Sequence, residues 1–278
     1  MQLFVNQLTN IDFSFLDRQR GMVGETWLAS VMLDGTLDDQ GMVCDFGVVK
    51  KVLRHWLDDQ IDHRLLIPAQ SPALTIHHMD DSRIDLSWTY AGGTMRLQSP
   101  LQAVTLVDAS EITAQSMAVW CQSRLQPMFD TRLKPLDIGF EDEGITDAYY
   151  HYSHGLKKHA GNCQRIAHGH RSRVQIWLDN ERSAVAEQAW AEQWRDIYIG
   201  TREDLLADDN GQLIFAYEAA QGAFRLEIPA SHCYMMETDT TVELIAAHMA
   251  DCVRQQYPGK QVRVRAFEGL NKGAQVGS

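Results

Sequence analysis

Apolar and polar residues alternate in the first part of the chain, and a helical spacing follows. The stretches "QLFVNQLTNIDFSF" and "TWLASVML" contain runs in which every second residue is apolar, as in paired β-strands. The next segment, "CDFGVVKKVLRHWLDDQI", has apolar residues that share one helical face: Val48, Val49, Val52, Leu53, Trp56 and Leu57. Further strands are predicted on both sides of Gly92-Gly93, and a second helix from about Thr113.

The same order of elements is predicted a second time. The segment "VGETWLASVMLDG" (residues 23–35) aligns with "HGHRSRVQIWLDN" (168–180), with Gly24 on Gly169. Later, "MRLQSPLQAVTLVDASEITAQSMAVW" (95–120) aligns with "FRLEIPASHCYMMETDTTVELIAAHM" (224–249) with one gap. Two similarities in the same order indicate an internal duplication. We therefore predict an N-terminal domain of residues 1–146 and a C-terminal domain of residues 147–278.

Each copy is expected to form strands, a helix, more strands, a second helix and a last strand. In the second copy the helices pass through Trp190 and Met249, and the last strand is "KQVRVRAF". Helices that return to one side of an antiparallel sheet make an α+β domain. We predict two such domains, each an antiparallel sheet with two helices on one face.

Composition excludes several classes of protein. An apolar content of 45% is typical of a globular chain, and no apolar run is long enough to span a membrane. The net charge of −12 argues against a nucleic-acid binder. The N-terminus has no signal-peptide pattern, and the five cysteines follow no regular spacing. These features predict a cytoplasmic protein with free thiols.

A basic cluster near residue 160 has two interpretations. It could form a pocket for a small anion inside an otherwise acidic protein, or a solvated basic turn. Both alternatives remain open from charge alone. The cluster consists of Lys157, Lys158, His159, Arg165, Arg171 and Arg173.

Two histidines separated by one glycine, His168 and His170, lie at the start of a predicted strand. Because residues two apart in a strand point to the same side, both imidazoles would face the same way. His154 lies in the preceding segment "YYHYSHGL", which would pair antiparallel with this strand. Three imidazoles with an open fourth position are the ligand set of catalytic zinc sites. The alternative is that these histidines are hydrogen-bonded polar residues at a strand end.

The duplication favours the metal site. At the equivalent place the first copy reads Val23-Gly24-Glu25, and Thr9 is predicted to occupy the position of His154. The first copy therefore keeps the strand and the glycine but has no histidine at these places. Since one copy folds without the histidines, we predict a metal ion in the second copy only.

The second copy resembles the 6-pyruvoyltetrahydropterin and 6-carboxytetrahydropterin synthases. The pattern of that family is a first histidine, a cysteine shortly before His-Gly-His, and a late glutamate. The matching residues are His154, Cys163, His168, His170 and Glu268. The first copy carries the family's middle signature in "GMVCDFGVVKKVL", followed by Asp62-His63 in "IDHRLLIP". Each copy lacks the motif that the other copy keeps.

The resemblance implies two tandem T-fold domains with Zn²⁺ bound by the three histidines and an active site between the copies. It implies Cys163 as the general base and Asp62 with His63 as a proton relay. Glu268 would hold the pterin, and Thr113 would contact the pterin ring from across an interface. The alternative for each of these residues is a structural role at the end of a strand or helix.

The resemblance also implies a reaction and an assembly. The expected substrate is 7,8-dihydroneopterin triphosphate, and the expected product is 6-carboxytetrahydropterin of the queuosine-precursor pathway. The second candidate product is 6-pyruvoyltetrahydropterin, formed by elimination of triphosphate alone. A pterin-binding protein without catalysis is the alternative of another class. Three chains would supply the six T-folds of the family's usual assembly, so we expect a homotrimer.

Overall fold

The computed structural model describes residues 1–129 and 136–277, and its elements repeat in the same order in two halves. The N-terminal half contains β1 (Gln2–Asp17), β2 (Gly21–Asp34), α1 (Phe46–Gln60), β3 (Leu65–Pro68), β4 (Leu74–Met79), β5 (Arg83–Tyr90), β6 (Gly93–Pro100), β7 (Val104–Val107), α2 (Ala114–Leu125) and β8 (Asp137–Asp142). The C-terminal half contains β9 (Tyr149–His154), β10 (His168–Leu178), β11 (Glu181–Arg182), α3 (Ala184–Gln193), β12 (Ile197–Thr201), β13 (Leu205–Asp209), β14 (Gln212–Ala219), β15 (Gly222–Pro229), β16 (Cys233–Met236), α4 (Val242–Gln256), β17 (Val262–Phe267) and β18 (Gly273–Val276). The predicted α+β class is confirmed, and none of the described helices is long and apolar enough to cross a membrane.

Each half has a core sheet with two helices on one face. In the N-terminal half the strand order is β7-β3-β1-β2-β8. Phe13 and Phe15 of β1 form one buried cluster with Leu53 of α1 and Met117 of α2. Val48 is the exception to the predicted helical stripe, because its side chain is exposed on the outer face of α1.

The C-terminal half repeats this arrangement. Its core sheet has the order β16-β12-β9-β10-β17-β18, and β11 pairs with β10. Tyr150 of β9 and Val174 of β10 are buried with Trp190 of α3 and Met249 of α4. The helices of both halves therefore cover the same face of equivalent sheets.

The core sheets are mixed rather than purely antiparallel, which corrects the sequence prediction. In the N-terminal half β1 pairs antiparallel with β2 but parallel with β3, and β3 pairs parallel with β7. In the C-terminal half β12 pairs parallel with both β9 and β16. The crossover through α1 or α3 returns the chain beside the first strand in the same direction. The excursion through β4–β6 or β13–β15 then returns it parallel to β3 or β12.

A third sheet joins the halves through main-chain hydrogen bonds. Its order is β13-β14-β15-β6-β5-β4, so each half contributes three strands. At the junction Leu226 of β15 lies opposite Leu97 of β6, and both side chains are buried. The hairpins were predicted from the sequence, but their pairing across the duplication was not.

The two core sheets approach each other most closely at Gly24 of β2 and Gly169 of β10. A methyl group built on Gly24 would lie 1.9 Å from the carbonyl oxygen of Tyr152, and one on Gly169 would lie 2.6 Å from Cα of Gly24. Beside this crossing, the buried hydroxyls of Ser14 and Ser153 are 2.7 Å apart. Equivalent residues of the two copies therefore meet at the centre of the molecule.

This crossing gives a test of the packing between the halves. Gly24→Ala should lower the free energy of unfolding by about 1–3 kcal/mol, because the methyl group overlaps main-chain atoms that cannot move freely. The measurement is chemical denaturation of the full chain. Gly139→Ala is the control, since a methyl group there meets nothing within 4 Å, and its effect should stay within about 0.5 kcal/mol. Equal stability of the two variants would contradict the close approach.

Candidate metal centre and acid–base site

The hairpin of β9 and β10 brings three imidazoles together. His154 lies directly opposite His168, and His170 is two residues further along β10. Cross-strand partners share a face of the sheet, as do residues two apart in a strand, so all three rings point to the core side. The three side chains are fully buried, and one ligand nitrogen of each lies within 4.8 Å of the others. The predicted antiparallel pairing of the His154 segment is confirmed.

Hydrogen bonds at Nδ1 orient two of the rings. Nδ1 of His154 lies 3.0 Å from Oγ1 of Thr240, and Nδ1 of His168 lies 2.9 Å from the carbonyl oxygen of Arg165. The Nε2 atoms of both histidines are buried without a hydrogen-bond partner. Burial is the main cause that lowers the pKa of both rings well below the ordinary value, so both are neutral at pH 7. A neutral imidazole with a free Nε2 is the form that binds a metal ion.

The third ring, His170, faces a carboxylate from the other half of the chain. Its Nδ1 lies 3.3 Å from Oδ1 of Asp12. Only 2% of the surface of Asp12 is exposed. Thr26 donates a hydrogen bond to the same oxygen at 2.5 Å, and Nζ of Lys272 lies 3.3 Å from the second oxygen. Burial alone would raise the pKa of Asp12, but His170, Lys272 and Thr26 outweigh it and hold that pKa well below its usual range.

Sequence reasoning missed Asp12. In "NIDFSF" the apolar residues Ile11, Phe13 and Phe15 fill the core, while Asp12 and Ser14 lie on the opposite face of β1. Such alternation is typical of a strand with one face in water. In the structure the C-terminal half covers this polar face instead. The sequence shows only that a carboxylate lies between the apolar residues Ile11 and Phe13, which does not reveal that it is buried.

The triad fits a divalent metal ion such as zinc. Three imidazoles are available from one hairpin, and each has a buried nitrogen without a hydrogen-bond partner. A tetrahedral zinc ion with three histidine ligands keeps a fourth position for a substrate oxygen. The residues His154, His168 and His170 could therefore hold the metal that the sequence predicted.

Asp62 and His63 lie in the turn between α1 and β3 of the N-terminal half. Nδ1 of His63 is 2.5 Å from Oδ2 of Asp62, and its ring stacks on that of His168 with 5.1 Å between centroids. Burial lowers the pKa of His63, but Asp62 and Cys163 outweigh it and raise the pKa to about 10. The imidazole is therefore charged at neutral pH, and it reaches the metal triad from the opposite half.

Cys163 approaches His63 from the C-terminal half. It lies half-buried in a single turn of 3-10 helix between β9 and β10. Its sulfur, a ring nitrogen of His63 and a ring nitrogen of His168 all lie within 4.8 Å of one another. The buried guanidinium of Arg165 also lies 3.4 Å from the carbonyl oxygens of both Asp62 and His63. One chain thus brings the thiol, the charged imidazole and the histidine triad together.

The two remaining predicted residues differ in their location. Glu268 follows β17, and its carboxylate lies 3.8 Å from Nε2 of His170 and 3.9 Å from Nζ of Lys272. Thr113 caps α2, where its hydroxyl accepts a hydrogen bond from the N–H of Ser116 at 3.0 Å. None of the contacts in the described ranges joins Thr113 to the other predicted site residues. A single chain therefore collects every predicted residue except this threonine.

Two lysines of the basic cluster near residue 160 form ion pairs with acidic side chains. Lys157 pairs with Glu203 at 2.9 Å and with Asp204 at 2.8 Å. Lys158 pairs with Glu203 at 2.7 Å and with Asp239 at 3.1 Å. These two lysines are therefore engaged by carboxylates and fit the interpretation of a basic turn better than that of an anion pocket.

The N-terminal half has different residues at the positions of the triad. Phe15 lies opposite Val23, as His154 lies opposite His168, so the predicted counterpart Thr9 is wrong: Thr9 pairs with Ala29. The error arises because β1 is a long strand. Its pairing with β2 is set by the turn after Asp17, so the residue opposite Val23 lies much closer to that turn than Thr9 does. Glu25 takes the place of His170, and burial raises its pKa to about 8. Within the described ranges, both groups that could hold a metal contain His168.

The counterpart of the Asp-His pair also differs. Leu65, the first residue of β3, pairs with Ser14 of β1. Tyr198, the second residue of β12, pairs with Ser153 of β9, so Leu65 and Tyr198 are equivalent. Residues 62–63 therefore correspond to residues 195–196, which are Arg195-Asp196. Ser231-His232, the most similar pair in the sequence of the second copy, lies elsewhere, between β15 and β16.

Solved structures and a family model show similarity to this chain. The chain is similar to solved 6-pyruvoyl tetrahydropterin synthases from Plasmodium vivax (17% identity, 52% of this chain and 92% of that chain, TM-score 0.42) and Plasmodium falciparum (13% identity, 51% and 98%, TM-score 0.40). No curated protein sequence matches it. A family model described as 6-pyruvoyl tetrahydropterin synthase matches residues 13–141 and again residues 145–278. Two tandem T-folds are thus confirmed, and the chain belongs to the 6-pyruvoyl tetrahydropterin synthase family.

Proposed function

We propose that the protein is a zinc-dependent lyase acting on 7,8-dihydroneopterin triphosphate. The product that we favour is 6-carboxy-5,6,7,8-tetrahydropterin, formed with water and with release of acetaldehyde and triphosphate. One observation carries the proposal: a buried histidine triad, a thiol and a charged Asp-His pair converge within one chain. Membership of the family supports a pterin as the substrate.

The roles of the side chains follow from their contacts. Zinc bound by the triad would polarise the hydroxyls of the substrate side chain. Cys163 would remove a proton from a carbon of that side chain, and the protonated His63 beside it would return a proton to the substrate. Asp62 would hold the imidazole in its charged form through the 2.5 Å contact.

Glu268 is the group that we propose to orient the pterin. Its carboxylate is partly accessible and lies beside the triad, so it could accept hydrogen bonds from the pterin amino group and ring N–H together. Lys272 lies 3.9 Å away and contributes a positive charge beside this carboxylate. Glu268 would then bind the pterin ring next to the site at which the metal polarises the side chain of the substrate.

A non-catalytic pterin-binding protein is the candidate of a different class. A protein that only binds pterin needs the glutamate and a cavity. It does not need a thiol beside a charged imidazole. The sulfur of Cys163 and a ring nitrogen of His63 lie within 4.8 Å of each other beside a metal-capable histidine, so both could reach one bound substrate. We therefore favour the lyase.

The first test is the product formed from 7,8-dihydroneopterin triphosphate by the zinc-loaded chain, measured by mass spectrometry. We expect 6-carboxytetrahydropterin, and 6-pyruvoyltetrahydropterin would identify triphosphate elimination alone. Cys163→Ala should lower kcat by about 100-fold or more, because the proton acceptor is lost, while pterin binding is retained. Cys252→Ala, which changes a free thiol on α4, is the control. Binding without turnover by the wild type would support the non-catalytic alternative.

Metal content and mass provide a second test. Since only one histidine triad is found among the described residues, we expect one zinc ion per chain and three in a homotrimer. His168→Ala should bind none, whereas His78→Ala, an exposed histidine on β4, should keep the metal. Elemental analysis with native mass spectrometry measures both quantities. Two zinc ions per chain, or a stable monomer, would contradict the prediction.

In the homotrimer that we expect, Thr113 would contact the pterin bound to a neighbouring chain.

The pH dependence of turnover tests the Asp-His pair. Protonated His63 is present below its pKa of about 10 and is lost above it. In Asp62→Asn the carboxylate that raises this pKa is absent, and burial lowers it, so the alkaline limb of kcat should move to lower pH. Asp59→Asn, on the exposed last turn of α1, should leave the limb in place. An unmoved limb in Asp62→Asn would exclude His63 as the titrating group.

A further inference from the structure

We propose that Asp12 is a positioning residue that connects the metal centre of the C-terminal half to the Asp62-His63 pair of the N-terminal half. The inference rests on the proposed function, because it assumes that the histidine triad holds the metal. Asp12 reaches the centre in two ways: its carboxylate faces one ligand, and its main chain holds both residues of the acid–base pair.

The carboxylate of Asp12 lies beside Nδ1 of His170, a buried nitrogen without a hydrogen-bond partner of its own. Its Oδ1 lies 3.3 Å from Nδ1 of His170, on the side of the ring away from Nε2. A carboxylate on the second nitrogen of a metal-bound imidazole fixes the ring orientation and makes the ligand more basic. Thr26, which donates to Oδ1 at 2.5 Å, keeps the carboxylate in this rotamer. The other two ligands have only neutral oxygen partners at Nδ1, so Asp12 supplies the negative charge.

The main chain of Asp12 holds the acid–base pair. Its N–H donates to Oδ1 of Asp62 at 2.9 Å, which leaves Oδ2 of that carboxylate for Nδ1 of His63. Its carbonyl oxygen accepts a hydrogen bond from the N–H of His63 at 2.6 Å. His63 has a φ of 55°, a left-handed conformation that needs such support in a residue with a side chain. One residue thus fixes both the orientation of Asp62 and the backbone of His63.

The chain leaves room for this carboxylate. Gly269, with a φ of +67°, lies against Asp12, and a methyl group built there would be 2.3 Å from Oδ1. The N–H of Gly269 donates to Ser172 at 3.1 Å, which holds the backbone in position. The glycine next to Glu268 therefore allows a charged side chain from the other half to reach the triad.

The duplication supplies a matched control. His151 occupies in β9 the position that Asp12 occupies in β1, since Ser14 and Ser153 are equivalent. Its Nδ1 donates to the carbonyl oxygen of Gly24 at 2.7 Å and lies 3.7 Å from Glu25, the counterpart of His170. The same contact between the halves therefore occurs twice, with carboxylate and imidazole exchanged, and only the Asp12 side has the triad.

The experiment compares the zinc affinity of full-length Asp12→Asn and His151→Asn by competition with a chromophoric chelator. Asp12→Asn should bind zinc about 10- to 100-fold more weakly than the wild type, because the charge behind His170 is lost. The visible spectrum of its cobalt form should also shift. His151→Asn should bind zinc within about twofold of the wild type, although both variants disturb the same interface.

A second variant separates positioning from folding. Thr26→Val removes one hydrogen bond to the carboxylate and should weaken zinc binding in the same direction by a smaller factor. If Asp12→Asn does not fold, unchanged zinc affinity and cobalt spectrum in folded Thr26→Val overturn the inference. A folded Asp12→Asn with wild-type affinity overturns it as well. A wild-type chain without zinc affinity would overturn the proposed function together with this inference, whereas the variant results overturn the inference alone.

Discussion

The close main-chain contact between the two halves is the constraint on which the candidate site depends. It requires glycine at residues 24 and 169, because a side chain at either position would overlap the opposite half. The contact brings the polar face of β1 against the hairpin that carries the histidines. Asp12 consequently lies beside His170, and the turn after α1 lies beside His168. The metal-capable triad belongs to one half, but its surroundings belong to both.

Much of each half could be predicted from the sequence, because short-range patterns determine it. The helical stripes, the hairpins and the antiparallel pairing of His154 with His168 follow from periods of 3.6 and 2. The parallel pairs and the join of β6 to β15 depend on contacts distant in sequence, which no local pattern records. Asp12 was missed for a related reason: a polar face covered by another sheet has the same alternation as a face in water.

The two halves have equivalent backbones, but at equivalent positions whole groups of neighbouring side chains differ together. Where the C-terminal half has His154 beside Thr240, the N-terminal half has Phe15 in an apolar cluster that includes Ile112. Where the N-terminal half has the Asp-His pair, the C-terminal half has Arg195-Asp196, and Asp196 forms two hydrogen bonds with Arg20. Each replacement satisfies its own neighbours, so the position without a triad is a stably packed interface.

The location of Cys163 and His63 in one chain changes how their contact depends on concentration. When two such groups come from separate subunits, their encounter is bimolecular, and dilution separates them. When a folded chain links them, the encounter is intramolecular, with an effective concentration set by the connection between the halves. Here that connection includes a continuous six-stranded sheet, so the two groups remain adjacent whatever the protein concentration.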